Sequence, residues 1–161
     1  MVRMTEAHIR LRPLTQPEFD QWITRQEAEY AELIIESGAM PPAAAREKAR
    51  RDTERTLGAG LDTPGQFLFR VLAGEEPVGS VWLAVPGPDD PAMSWVYNVE
   101  IDEAHRGHGY GRQAMLLAEE ESRARGMTSS GLNVHGKNTV AISLYDSLGY
   151  AVTAQQMKKP L

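Results

Sequence analysis

The hydrophobic period of this chain changes at one place, and that change limits the fold more than any other feature. Met93 to Ile101 (MSWVYNVEI) is mostly apolar and β-favouring, the pattern of a strand well inside a sheet. It runs into DEAHRGHGYG. From Gly109 to Arg125 the apolar residues Ala114, Met115, Leu117 and Ala118 then recur at helical spacing until Gly126 stops them. A buried strand that passes through glycines directly into a helix belongs to an alternating α/β architecture, in which helices cover a sheet.

The remaining segments extend this pattern. His8 to Leu14 reads as an opening strand, and Thr15-Gln-Pro-Glu18 resembles a capping box, with hydroxyl and carboxylate serving free N–H groups at a helix start. Phe19, Trp22, Ile23, Gln26, Tyr30, Leu33 and Ile34 follow at helical spacing, with Gly38 as the stop. A second helix is expected from Pro41-Pro42 to Leu57. Gln66 to Ala73 and Val78 to Val85, joined by GEEP, read as a hairpin, and PGPDDPA is a loop. After the central strand and helix, the spacing predicts a short strand over Leu132 to Val134, a helix over Thr139 to Leu148 and a last strand over Tyr150 to Lys158. The expected order is βααβββαβαβ. It describes an α/β (α+β) chain with a mixed sheet and helices on both faces, one domain over residues 1–161.

Composition narrows the function. At 161 residues the chain is long enough to bury a core without staples, and it has no cysteine, so thiolate nucleophiles, disulfides and cysteine-based zinc sites are excluded. A net charge of −5 is the wrong sign for a nucleic-acid partner and leans toward cationic ones. No apolar run approaches a membrane span, and MVRMTEAHIR has neither the apolar stretch nor the cleavage site of a signal peptide. The expected address is cytoplasmic, with no membrane partner. His105, His108 and His135 lack the paired spacing of a metal site, so no metal is expected.

The glycine turn carries the chemistry. Gly107, Gly109 and Gly111 allow backbone N–H groups to turn toward an anion without Cβ obstruction, and the following helix adds its partial positive end. Arg106 and Arg112 add full charges. The alternative is a turn whose glycines merely cap a helix. The pattern is neither the dinucleotide fingerprint nor a Walker loop, because the third spaced glycine and the Gly-Lys-Ser/Thr are both missing.

Arg106-Gly-His-Gly-Tyr-Gly111 resembles the R/Q-x-x-G-x-G/A signature of the GNAT superfamily of N-acetyltransferases. Downstream, Leu132-Asn-Val-His-Gly-Lys-Asn138 and Ala141-Ile-Ser-Leu-Tyr-Asp-Ser-Leu-Gly-Tyr150 resemble that family's second acyl-CoA motif. The motifs cover Met93 to Tyr150, and the two helices after the first strand extend the likeness over most of the chain. The resemblance implies an acyl-CoA N-acyltransferase fold whose central strands splay apart around acetyl-CoA. It implies that the backbone near Val99 and Ile101 holds the pantetheine arm and that amides of Arg106, Gly107, His108, Gly109, Tyr110, Gly111 and Arg112 hold the pyrophosphate. Asn138 and Tyr145 would also meet the cofactor.

The implied reaction is direct attack of an amine on a thioester within a ternary complex. An alkylammonium has to lose a proton first, and a carboxylate at the strand end can take it. Glu100 is the candidate, since strand alternation turns it to the side opposite Val99 and Ile101. Relatives often carry an acidic pair slightly earlier on this strand, where this chain has Tyr97 and Asn98. A water held by Asn98, or a first-helix carboxylate such as Glu27 or Glu29, therefore stands beside Glu100 as the base. Tyr145 lies where the family's general acid usually sits, and its alternative is simple packing. Glu27, Tyr30, Trp82 and Asn98 are candidates for the acceptor pocket, with core packing the plainer reading of the aromatics. The acceptor is expected to be a small-molecule or peptide amine, and the resemblance admits a homodimer. A non-catalytic acyl-CoA sensor of the same fold is the competing reading.

Overall fold

The computed structural model describes residues 8–161, so the signal-peptide reading, which rests on residues 1–10, lies mostly outside the described residues. The elements are β1 (Ile9–Pro13), α1 (Gln16–Glu36), α2 (Pro42–Thr56), β2 (Gln66–Ala73), β3 (Glu76–Ala84), β4 (Met93–Ile101), α3 (Tyr110–Ala124), β5 (Ser129–Leu132) and α4 (Thr139–Ser147). The sheet runs β1-β2-β3-β4-β5 in space, antiparallel throughout except for the parallel β4–β5 pair. The mixed sheet expected from the sequence is therefore present. No helix among the described residues is long and apolar enough to cross a membrane.

Two apolar clusters lie on opposite faces of the sheet, as the alternation along each strand requires. On one face Phe69, Val71, Val81, Leu83 and Val96 meet Ala114, Met115 and Ala118 of α3. On the other, Leu68 and Trp82 meet Phe19 and Trp22 of α1. α2 does not reach the sheet through its apolar residues; its fully buried Ala45 and Ala49 pack toward α1, where Ala31 is also buried. The capping position is used as expected, since the Thr15 N–H donates to Glu18 Oε2 at 2.8 Å.

Two expectations at the C-terminal end are corrected. β5 occupies Ser129–Leu132 rather than Leu132 to Val134, because its pairing partner is the first half of β4. The expected strand over Tyr150 to Lys158 does not form, and residues 151–161 are exposed. That segment has β-favouring residues but no apolar face. Val152 and Met157 are 73% and 88% exposed, and the Gln pair and Lys pair between and after them have nothing to bury. Without burial, ordering the backbone is not compensated.

Candidate active site

The site grows from β4. β5 pairs with β4 only from Met93↔Ser129 to Val96↔Leu132. β4 then continues to Ile101, while the chain after Leu132 leaves the sheet and re-enters regular structure only at Thr139. Tyr97 to Ile101 thus has a strand neighbour on the β3 side alone. The splay begins at an irregularity, because the β3 partner steps from Trp82↔Asn98 to Leu83↔Val96 and leaves Tyr97 as an extra residue. Such a bulge bends the strand and re-aims its side chains. β3 follows closely here, since a Cβ on Gly79 would come within 2.1 Å of the Glu100 carbonyl oxygen.

Beyond Ile101 the chain makes a short 3₁₀ turn, Glu103–His105, and enters the glycine turn. The Arg106 guanidinium folds back, donating from Nε to the Ile101 carbonyl at 2.9 Å, which closes the strand end. Gly107 and Gly109 have φ of +83° and +77°, and a Cβ at either would meet nothing within 4 Å. Glycine is needed there for its backbone conformation, and the space in front of the turn is open. Gly109 is also the N-cap of α3. It has no side chain to satisfy the first N–H groups of that helix, which have no carbonyl partners inside it. An open row of amides at a helix N-terminus is a site for an anion.

α4 supplies the opposite wall. Asn138 caps it by accepting from the Ala141 N–H at 3.2 Å, and Arg112 Nη1 donates to Ser147 Oγ at 2.7 Å, tying the start of α3 to the end of α4. Tyr145 is half-buried against the α3-side core, edge-on to Tyr150 with ring centroids 5.9 Å apart. Burial pushes its phenol above the usual tyrosine range, so it remains a proton donor.

Val99 and Ile101 pack on the α3 side, and Glu100 turns to α1, as alternation requires. There Arg25 Nη2 lies 3.3 Å from Glu100 Oε2, and Arg25 Nε lies 3.7 Å from Glu29 Oε1. The Asn98 Nδ2 amide donates to Gln26 Oε1 at 2.7 Å. Burial and the neighbouring Glu100 push the Glu29 carboxyl up, against the pull of Arg25. Trp82 is buried in the α1-side core, edge-on to Trp22 and stacked under Tyr97 at 4.5 Å. It is the floor beneath an exposed tyrosine rather than a wall.

Two candidates from the sequence are not brought to β4. Tyr30 donates to Asp52 of α2 at 3.0 Å, and Glu27 lines a groove between the helices with Thr24, Ala31 and Arg46. At 100° per residue, Glu27 is roughly 200° around α1 from Arg25. The residues that do reach Glu100 and Asn98 include two the sequence reading did not name for the site, Arg25 and Gln26. Gln26 carried a signal, being the one polar amide in an otherwise apolar stripe.

A sheet parted along one central strand, with an open amide turn at the end of that strand and a carboxylate on its far side, is the site of an acyltransferase. The chain belongs to the Acetyltransferase (GNAT) family, whose sequence pattern matches residues 15–150. It is 28% identical over 154 residues to YycN, an uncharacterized N-acetyltransferase of Bacillus subtilis, covering 95% of this chain and 99% of YycN. The crystal structure of YycN superposes with a TM-score of 0.86 at 29% identity, covering 95% and 98% of the two chains. YdgE, a second uncharacterized N-acetyltransferase of Bacillus subtilis, is 27% identical over 152 residues, covering 94% of this chain and 97% of YdgE. AAC(6')-Iy, solved in complex with a CoA-S-monomethyl-acetylneamine bisubstrate analogue, shares the fold at TM-score 0.62 and 13% identity, covering 96% and 98% of the two chains.

Proposed function

We propose that the chain is one acetyl-CoA-dependent N-acetyltransferase domain that acetylates a primary amine of a small molecule or peptide directly, in a ternary complex. The observation that carries this reading is the one-sided half of β4 running into an open amide turn. Support comes from the N-acetyltransferases it resembles and from the CoA-containing analogue bound by AAC(6')-Iy.

The residues fit the cofactor. The main-chain groups of Val99 and Ile101 that turn away from β3 hold its amide-bearing arm. The amides from Gly107 to Arg112, with the positive φ of Gly107 and Gly109, would hold its pyrophosphate, whereas the Arg106 N–H expected among them donates to the Glu103 carbonyl at 3.3 Å; Asn138 would contact the cofactor from the start of α4. When bound, acetyl-CoA supplies an acetyl group activated as a thioester. On the α1 side, the Glu100 carboxylate accepts a proton from the incoming ammonium, directly or through a water at Asn98. On the other side, the Tyr145 hydroxyl would give its proton to the thiolate sulfur that departs as the thioester C–S bond breaks. With no cysteine in the chain, no acetylated thiol of the protein takes part.

Thermal unfolding with acetyl-CoA, free CoA and NAD at matched concentrations tests the reading. A ligand at 100 times its Kd adds about 2.7 kcal/mol, which raises Tm by roughly 5–10 °C. Shifts with both CoA forms and none with NAD are expected, followed by amine-dependent thiol release against no protein background. A shift with NAD alone, or with none of the three, rejects it.

A further inference from the structure

Arg25 stands where an incoming ammonium group has to go. It is shared between two carboxylates, Glu29 on its own helix and Glu100 across the gap, at 3.7 and 3.3 Å. These are loose contacts beside the 2.8 Å pairing of Arg12 with Glu18 or the 2.6 Å pairing of Arg50 with Glu54. The Glu100 side chain is 24% exposed and that of Arg25 45%, so both remain within reach of a ligand. One cation against two anions also leaves the trio a full negative charge. The Glu29 carboxyl is raised first by its burial and then by Glu100, against the pull of Arg25. α1 does not depend on Arg25 to sit on the sheet, because the Asn98–Gln26 hydrogen bond and the Trp22–Trp82 contact already hold it there.

We propose that Arg25 is a resident cation that orients Glu100 and is displaced from it by the ammonium group of the acceptor, withdrawing to Glu29. Glu100 Oε2 faces Arg25, which leaves Oε1 to meet the ammonium, and the exchange costs a single long contact. Because Arg25 and Glu29 are four residues apart on α1, the withdrawn guanidinium keeps a partner on its own helix. Glu100 exchanges one cation for another, and because Arg25 stays with Glu29 the arriving ammonium neutralises the net negative charge of the trio. Arg25 is thus a positioning residue, and the acceptor class it selects is one whose reacting nitrogen arrives protonated. The inference rests on the proposed N-acetyltransferase reading and on Glu100 as its base.

The test uses the full chain with glutamate ¹³C-labelled at the side-chain carboxyl. n-Butylammonium chloride is titrated in, with tetramethylammonium chloride at equal ionic strength as the cation without N–H donors. The Glu100 resonance, assigned from Glu100→Gln, is expected to respond to butylammonium and not to tetramethylammonium. Arg25→Ala is expected to bind the probe about fivefold more tightly, since the competitor is gone, and Arg25→Lys to restore the wild-type affinity. Should Arg25→Ala unfold, Arg25→Gln keeps the side-chain length without the charge and is expected to behave alike. Equal affinities with and without the arginine overturn the proposal, as does a Glu100 resonance that answers to both cations or to neither. The underlying reading is judged separately. If Glu100→Gln keeps full thiol release from acetyl-CoA, the base assignment falls, whereas loss of release with unchanged butylammonium affinity in Arg25→Ala removes this inference alone.

Discussion

Asn98 and Gln26 are 72 positions apart in the chain, and the amide of the first donates to the side-chain oxygen of the second at 2.7 Å. That contact fastens α1 to the rim of the parted sheet, next to Glu100. Gln26→Ala should lower stability by about 1 kcal/mol, the usual net worth of such a bond plus part of the desolvation of the amide left behind. Chemical denaturation should show a lower midpoint with an unchanged slope. The thermal shift with acetyl-CoA should stay, because the groups proposed to hold the cofactor lie on the other side of β4. Loss of that shift would mean that α1 shapes the cofactor gap as well.

Gly109 and Gly111 separate conformation from ligand approach. Alanine at Gly109 has to adopt φ near +77°, which costs roughly 1–2 kcal/mol in an L-residue, so both folding and CoA affinity should suffer. At Gly111 the φ is not positive, and a Cβ would meet Leu144 Cδ2 at 3.7 Å and Ile101 Cγ1 at 3.9 Å, both ordinary contacts. Gly111→Ala should therefore keep its Tm without ligand. Calorimetry on the two variants then tells whether the turn's job is shape or close approach.

Tyr145→Phe should retain CoA affinity and lose turnover, by roughly 100-fold if the hydroxyl acts as general acid. Burial raises the Tyr145 pKa above its usual value of 10, so the protonated donor should persist across neutral and mildly alkaline pH. The alkaline limb of the wild-type rate profile should not fall below pH 10 on its account. Equal turnover by the phenylalanine variant at saturating acetyl-CoA leaves Tyr145 with a packing role only.

Glu18 gives the fold an acid-sensitive joint. Hydrogen bonds from Arg12 and from the Thr15 backbone hold its carboxyl well below the carboxylate range, at about 2 instead of 4.5. A depressed carboxylate pKa stabilises the folded state above the unfolded value of about 4.5, and that contribution is lost as pH falls through the folded value of about 2. Unfolding between pH 5 and 2 should thus be steeper in the wild type than in Glu18→Gln. The difference should be roughly 1–2 kcal/mol for a partly exposed pair.

Much of this was legible in the sequence where a pattern is local. The run from Met93 through Gly109 into α3 could be read because periodicity, glycine placement and helix stop agree within one stretch. The Tyr150 to Lys158 segment misled because β-favouring residues alone do not make a strand; Val152 and Met157 needed a surface to cover and have none. On α1, Glu27 and Glu29 look alike as letters. Only the phase of the helix against β4 sends Glu29 to Glu100 and Glu27 toward α2, and that phase is set by the packing of Trp22 on Trp82.

The one-sided half of β4 has a consequence for how the chain tolerates mutation. On the proposed reading, a sheet that stops short there is completed by a ligand that lays amides along it, and the binding groups are peptide N–H and C=O, which no side-chain replacement other than proline removes. Hydrogen exchange at Val99 and Ile101, whose N–H groups turn away from β3, should consequently report occupancy directly, slow when the missing neighbour is supplied and fast when it is not. The opposite face of the same strand is all side chain: Asn98, Glu100 and the α1 residues that meet them. On the proposed reading, substitutions there would alter which amine is taken and leave the cofactor grip untouched, so a single strand divides the molecule into a part written in backbone and a part open to rewriting.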